Sequence, residues 1–316
     1  MPKLLIIFVF LFLSACSDNQ SNDEIRGQTM GTTYTIKVQN FKIDRQQIER
    51  RLEKISSIFS NWNQNSEIST LNNSPANKLL AVSEEMTSVL KSSINLYQQT
   101  QGFFDPGIGR LIDVWGFGAS KVGKKPGRDL IKHALEKSSI KHLELNKLTL
   151  NKRVDIHLNL SALVKGYAVD EIADLLEAQG VERFMVEIGG EIKARGDWSI
   201  GIETPTGQAS IAIDLINESI ATSGNYRNFF VWEGGRYAHI LDPHTGLPVN
   251  SDLFSVSVIH NSNMMADAYA TAMMAMGGDK AVKLAHQLNL KTVLILNNTD
   301  KQDLSVLSKN IIKIGL

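Results

Sequence analysis

Three side chains between Tyr237 and Gly277 have the types and spacing that chemistry asks for: His239, Asp267 and Thr271. An imidazole such as that of His239 can take a proton near neutral pH, since unperturbed histidine titrates at about 6.5. Asp267 and Thr271 lie four residues apart in MMADAYATAMMAMG, an Ala- and Met-rich helical pattern that puts both on one face. A carboxylate and a hydroxyl presented together suit a hard cation such as Mg²⁺, which prefers oxygen ligands. Singly, each residue also fits a role in the fold: His239 as a core imidazole, Asp267 as a charge near a helix start, Thr271 as a packed small side chain. Their joint occurrence is what points to a site.

The elements that must hold these residues lie on either side. His239 ends an alternating run with Phe229, Val231 and Tyr237, then Asp242, Pro243, Gly246 and Pro248 follow. Pro243 fixes φ and Gly246 admits φ > 0, so the pattern predicts a strand end beside a rigid turn. The run LFSVSVIH predicts a strand between that turn and the helix.

Upstream, Tyr34, Ile36 and Val38 alternate in a strand with Met30 and Gly31 at its entrance. Asp44 caps a helix carrying Ile48, Leu52, Ile55 and Phe59, and a polar loop FSNWNQNSEISTLN follows. Trp62 interrupts that loop, either covering an apolar patch or stacking on a planar ring. Ser83 starts a second helix with Met86, Val89, Leu90, Ile94 and Tyr97 inward. In GFFDPGIGRLIDVWGFG, glycines stand among Phe103, Phe104, Trp115 and Phe117. Such a chain approaches a ligand closely under aromatic cover, or packs those aromatics into the core.

Apolar runs at 143–150 and 154–160 predict a hairpin leading to Ser161, which caps a helix with Val164, Ala168, Ile172, Leu175 and Leu176 on its apolar side. The start of that helix is a natural anion site. The strand with Phe184, Val186 and Ile188 ends in Gly189 and Gly190, which suits close approach of a diphosphate. Trp198, Ile200 and Ile202, then Ile211, Ile213 and Leu215, alternate in two more strands; a helix at 279–288, a strand at 292–296 and a weak tail complete the chain.

Lys plus Arg and Asp plus Glu both total 33 in 316 residues, so the net charge is zero and no nucleic-acid footprint is expected. Lys121, Lys124 and Lys125 read as a solvated loop or a small basic patch. Cys16 is the sole cysteine, which excludes an internal disulfide. Lys3, the apolar run LLIIFVFLFL and Leu13-Ser14-Ala15 precede it, a signal-peptide core too short for a membrane span of about 20 residues. The expected organisation is a signal peptide at 1–15, a flexible tether at 16–26 and one folded body at 27–316. LSAC resembles a bacterial lipobox, implying cleavage before Cys16 and lipidation of its sulfur; an uncleaved anchor is the alternative. Either way the body is exported and tethered at a membrane surface, on the periplasmic side of a bacterial envelope. Ser17 and Asp18 leave the choice of membrane ambiguous, with the inner ranked ahead of the outer.

H-x-x-D-P-x-T-G-x-P from His239, with A-D-A-x-A-T from Ala266, resembles the ApbE family, the FAD:protein FMN transferases. M-G-T-x-Y from Met30, S-E-I-S from Ser66, F-D-P from Phe104, W-G-F from Trp115, L-S-A-x-x-K-G-Y-A-V-D from Leu160 and A-T-S-G from Ala221 extend the match from about Met30 to about Gly277. The resemblance implies an α+β body of mixed sheets flanked by helices. It implies an FAD site at Met30, Trp62, Trp115, Gly116, Phe117, Asn159, Lys165 and Ile240. Asp267, Thr271 and the backbone carbonyl of Ala162 would hold Mg²⁺, His239 would act as base, and Ser223 and Gly224 would border the cavity. The implied reaction moves FMN from FAD to a threonine of an acceptor protein and releases AMP. Implied acceptors are subunits of membrane redox pumps, such as the sodium-translocating NADH:quinone reductase or the Rnf complex. Asn159 departs from the family's usual aspartate, keeping an acceptor but losing the charge. Two other readings stay open: a Mg²⁺-dependent FAD diphosphatase, and a non-catalytic FAD-binding lipoprotein.

Overall fold

Strand β1 (Asn22–Thr29) pairs antiparallel with β2 (Thr32–Gln39), and the alternation of β2 buries Tyr34, Ile36 and Val38 on one face. This is a computed structural model; it describes residues 22–296 apart from 120, 121, 123, 205–209, 226–228 and 233, together with the backbone of 304–308 and 311–315. Cys16, the segment expected to be a signal peptide, and Lys121 lie outside the described residues. Among the described residues the first strand starts at Asn22, inside the segment expected to be a tether. The polar run there is a paired strand because its backbone is satisfied by β2 and Ile25 reaches the core.

Helix α1 (Arg45–Phe59) starts at Asp44, whose carboxylate accepts the Gln47 N–H at 3.2 Å. The stretch read as a polar loop contains α2 (Glu67–Asn73), capped by Ser66 and buried through Ile68 and Leu71. Two apolar residues in seven are too few to show a period. After β3 (Leu80–Ala81), Ser83 caps α3 (Glu84–Gln99). The glycine-punctuated stretch holds α4 (Gly109–Val114), and α5 (Arg128–Glu136) follows. The predicted hairpin closes earlier than its apolar runs suggest: β4 (Leu143–Asn146) pairs with β5 (Thr149–Lys152) around Lys147 at φ 48°, and residues 154–160 form no named strand.

Residues 154–160 deliver the chain to α6 (Ser161–Ala178). Strands β6 (Phe184–Ile188) and β7 (Glu191–Arg195) turn back through Gly189 and Gly190, both at positive φ. A separate hairpin of β8 (Asp197–Glu203) and β9 (Ser210–Ile216) precedes β10 (Ser219–Gly224). Two short hairpins follow, β11 (Phe229–Trp232) with β12 (Gly235–Ala238) and β13 (Leu241–Asp242) with β14 (Leu247–Pro248). Then come β15 (Leu253–His260), α7 (Asn263–Met276), α8 (Gly278–Leu288) and β16 (Lys291–Leu296). The tail adds β17 (Leu304–Ser308) and β18 (Ile311–Gly315).

Among the described residues the large sheet runs β1-β2-β6-β7-β10-β15-β16-β18-β17, with β16 and β18 its parallel neighbours. This is the mixed α+β architecture read from the sequence. Helices α6 and α7 pack together against the sheet. Ala266, Ala268, Ala270 and Ala272 are all fully buried, as befits a helix that is apolar on most sides.

Candidate active site

A cavity of about 760 Å³ opens where α6 and α7 meet the ends of β7 and β10, within the range typical of ligand sites. Its wall includes Asn159, Ala162, Lys165, His239, Ile240, Asp267 and Thr271, so seven of the residues singled out in the sequence converge there. Ser223 and Gly224 also line it.

Asp267 is 3% exposed, and its Oδ2 accepts the Gly166 N–H at 3.3 Å. An α-helix directs that same N–H towards the carbonyl four residues back, which is Ala162. Asp267 therefore stands beside the Ala162 carbonyl. One turn further along α7, the Thr271 hydroxyl lies 3.0 Å from that of Ser223 on β10.

Lys165 forms an ion pair with Glu191, which is 1% exposed and also lines the cavity. Burial disfavours the Lys165 ammonium, yet the carboxylates of Asp267 and Glu191 outweigh it and hold its pKa above the ordinary lysine value. Burial pushes Glu191 up, against the opposing charge of Lys165. Burial likewise pushes Asp267 up, opposed by Lys165 and the Gly166 N–H. Burial thus biases both carboxyls towards the neutral form, and a cation beside them would favour the charged one. Glu191 Oε2 is buried with no hydrogen-bond partner. Sequence reasoning missed Glu191, although an acid directly after Gly189-Gly190 was a signal.

The start of α6 is built differently from the expectation that Ser161 caps it. Leu160 occupies the cap position, and Asn159 Oδ1 accepts both the Ser161 N–H at 3.0 Å and the Ser161 hydroxyl at 2.6 Å. Asn159 wins because its side chain can fold over the next turn. Its N–H donates to the Pro106 carbonyl at 2.8 Å. The preceding Leu158 is clamped by Asn72, which accepts its N–H at 2.7 Å and donates to its carbonyl at 2.9 Å.

His239 follows β12 directly, and its ring meets that of Phe117 edge-on with centroids 6.4 Å apart. Behind it runs an aromatic stack: Phe117 on Phe230 at 4.8 Å, Phe230 on Trp232 at 4.8 Å, and Trp115 on Tyr237 at 5.8 Å. The turn expected after His239 is present. Asp242 Oδ1 accepts the His244 N–H at 2.9 Å, and Gly246 at φ +68° leaves room for Leu111.

Other expected flavin contacts stand off the cavity wall. Trp115 is 1% exposed, its indole N–H donating to the Gly246 carbonyl at 2.8 Å, and with Phe117 it belongs to a core cluster supporting the His239 segment. Gly116 turns at φ +76° under Val122. Met30, at φ 49°, packs on the main core while its neighbour Gly31 reaches the cavity. Trp62 is 67% exposed and does not line the cavity.

The donor set fits a hard cation. No group of three His, Cys, Asp or Glu side chains suited to a metal occurs among the described residues. A cation here would instead meet one carboxylate, one hydroxyl and one carbonyl, with its remaining positions open to water and ligand oxygens. That is the habit of Mg²⁺.

Fold and cavity together describe a ligand-handling enzyme scaffold with a place for an anion and its counter-cation, and comparison with known proteins gives it a family. The model described as the ApbE family matches residues 30–294. The FAD:protein FMN transferase of Vibrio cholerae serotype O1 is 34% identical over 314 residues, covering 94% of both chains. That of Escherichia coli K12 is 29% identical, covering 87% of this chain and 84% of its own. The solved flavin transferase ApbE from Vibrio cholerae superposes with a TM-score of 0.83 at 34% identity, covering 89% of this chain and 95% of its own. The flavinyl transferase ApbE of Pseudomonas stutzeri gives 0.83 at 30% identity, covering 88% and 92%. The chain belongs to the ApbE family.

Proposed function

We propose that this chain is an FAD:protein FMN transferase that attaches FMN through a phosphoester to a threonine of an acceptor protein and releases AMP. The observation that carries the reading is one cavity holding His239 together with Asp267, Thr271 and Ala162. The activity of its relatives as FAD:protein FMN transferases supports FAD as the substrate.

The threonine oxygen forms a bond to the FMN-side phosphorus as the bond to the bridging oxygen of the diphosphate breaks, and AMP leaves with that oxygen. His239 accepts the hydroxyl proton, a role suited to an imidazole. Asp267, Thr271 and the Ala162 carbonyl would hold Mg²⁺, which when bound would offset charge on the leaving phosphate. Lys165 offers its ammonium to the same anion, and Glu191 fixes where that ammonium stands. Gly189 and Gly190 let the backbone approach the diphosphate. Asn159, Ile240 and the neighbouring wall orient the rest of FAD. Positioning and charge compensation supply most of the catalysis in such transfers.

Tethering through a lipidated Cys16 on the periplasmic side, next to membrane redox pumps as acceptors, completes the reading. No helix among the described residues is long and apolar enough to cross a membrane.

The test mixes the soluble body with FAD, Mg²⁺ and a threonine-bearing acceptor domain, then follows AMP and covalent flavin fluorescence of the denatured acceptor. Labelling equal to AMP is expected, with His239→Ala reducing it about 10²- to 10⁴-fold while FAD still binds. AMP and free FMN without labelling would make the protein a diphosphatase, and bound intact FAD would make it a carrier.

A further inference from the structure

Asp267 and Thr271 ride on α7, so the first turn of that helix decides where both stand. That turn is held by one carboxylate from α6. Asp170 Oδ1 accepts the Asn263 N–H at 2.9 Å and the Lys193 ammonium at 2.8 Å. Its Oδ2 accepts the Met264 N–H at 3.0 Å and the Ser262 hydroxyl at 2.8 Å. All four partners donate, so the position demands an acceptor on both sides. An amide would turn its NH₂ against one pair.

The surroundings tie the same turn to the cavity. One helical turn before Asp170, Gly166 packs under Asn263 and donates its N–H to Asp267. Asn263 is fully buried and donates its side-chain N–H groups to the carbonyls of Ile192 on β7 at 2.8 Å and Ile220 on β10 at 3.1 Å. Strand β10 then carries Ser223 to Thr271. Helix α6, which presents the Ala162 carbonyl, is thereby locked in register with α7, which presents the other two oxygens.

We propose that Asp170 is a positioning residue for the transfer site: by gripping the first turn of α7 it sets how Asp267 and Thr271 stand against the Ala162 carbonyl, and so sets the affinity for the cation. The inference rests on the reading of those three residues as cation donors. Mg²⁺ needs oxygens at about 2.0–2.1 Å in near-octahedral array, so a slip of a few tenths of an ångström between the helices matters. Groups that orient metal ligands commonly contribute about 10- to 100-fold to metal affinity.

The test measures Mn²⁺ binding to the FAD-loaded chain by the electron paramagnetic resonance of the free ion, since Mn²⁺ shares the octahedral oxygen preference of Mg²⁺. Asp170→Asn should raise the Mn²⁺ dissociation constant about 10-fold or more. Ser262→Ala, which removes one of the donors, should raise it roughly threefold and serves if Asp170→Asn does not fold. Ile55→Ala, a buried change on α1 away from the cavity, should lower Tm yet leave the constant within about twofold. Asp267→Ala should abolish binding. Unchanged constants in the Asp170 and Ser262 variants, with Asp267→Ala still unable to bind, would overturn the inference and spare the site reading. So would an equal weakening by Ile55→Ala, because the effect would then be general loosening. Native-like Mn²⁺ binding by Asp267→Ala would overturn the cation site itself, and the inference with it.

Discussion

Gly166 of α6 lies directly beneath Asn263 of α7, so closely that a Cβ on Gly166 would stand 2.4 Å from the Asn263 carbonyl oxygen and 2.8 Å from the Met264 Cα. Both obstacles are backbone, which cannot swing aside. Alanine normally favours a helix by about 1 kcal/mol over glycine, whereas overpacking costs about 1–3 kcal/mol. Gly166→Ala should therefore lower stability by up to roughly 2 kcal/mol instead of raising it, and push Asp267 away from the Gly166 N–H. Urea denaturation with Mg²⁺-dependent turnover checks both effects, and a stabilised variant with native turnover would contradict them.

That crossing also marks the limit of what could be read from the sequence. Tyr34, Ile36 and Val38 announce their strand because period two survives when one face is buried. Asp267 and Thr271 announce a shared face for the same kind of reason. Helix α2 escaped notice because Ile68 and Leu71 are its only large apolar anchors. Glu191 did too, because an acid in an alternating strand reads as an outward residue, while β7 begins with that residue buried. The grip of Asp170 on Asn263 and Met264 joins residues some ninety positions apart. Local pattern carries no trace of such a pairing, and only the packing of α6 on α7 creates it.

Trp62 offers a clean separation of binding from folding. At 67% exposed it supports little of the core, and substitutions at such positions usually change stability by less than about 0.5 kcal/mol. A base or flavin ring stacked on an aromatic gains about 1–3 kcal/mol. The family resemblance puts Trp62 at the flavin although it stands off the cavity wall, so Trp62→Ala should leave Tm unchanged and weaken FAD binding about 5- to 100-fold, read by flavin fluorescence titration. Unchanged affinity would put Trp62 outside the flavin site. Trp115 gives no such clarity, because its indole N–H is needed by the Gly246 carbonyl.

Arg51 joins three helices: it bonds Glu85 of α3 at 2.8 Å and Glu171 of α6 at 2.6 Å from its own place on α1. Burial pushes the Glu85 carboxyl up, but hydrogen bonds from Arg51 and Tyr167 and the charge of Arg51 together outweigh it and hold the pKa below the ordinary glutamate value. A depressed folded pKa means stability that is present above the unfolded value, near about 4.3, and lost as pH falls through the folded one. Arg51→Met should cost about 1–3 kcal/mol at pH 7. The gap to the native protein should narrow as pH falls below about 4, where Glu85 no longer needs its partner. Denaturant titrations at neutral and acid pH measure that gap, and a constant difference would remove the network from acid stability.

The family resemblance implies an aspartate at the position of Asn159, and the hydrogen bonds of Asn159 say what that aspartate would change. Only Oδ1 is used, accepting from the Ser161 N–H and hydroxyl, and an aspartate oxygen serves both. Asn159→Asp thus keeps the start of α6 and adds a negative charge at a helix N-terminus, a gain of about 0.3–1 kcal/mol. Its effect on the ligand depends on what faces the side chain. Beside the diphosphate, the added charge would repel FAD and ADP alike. Beside the flavin ring, it would strengthen a hydrogen bond from the ring's N–H and leave ADP untouched. The second outcome is expected, because the proposed function already gives the diphosphate Lys165, Gly189 and Gly190: Asn159→Asp should tighten FAD several-fold, with ADP affinity within about twofold. Parallel titrations with FAD and ADP decide it, and weakening of both would move the diphosphate to Asn159.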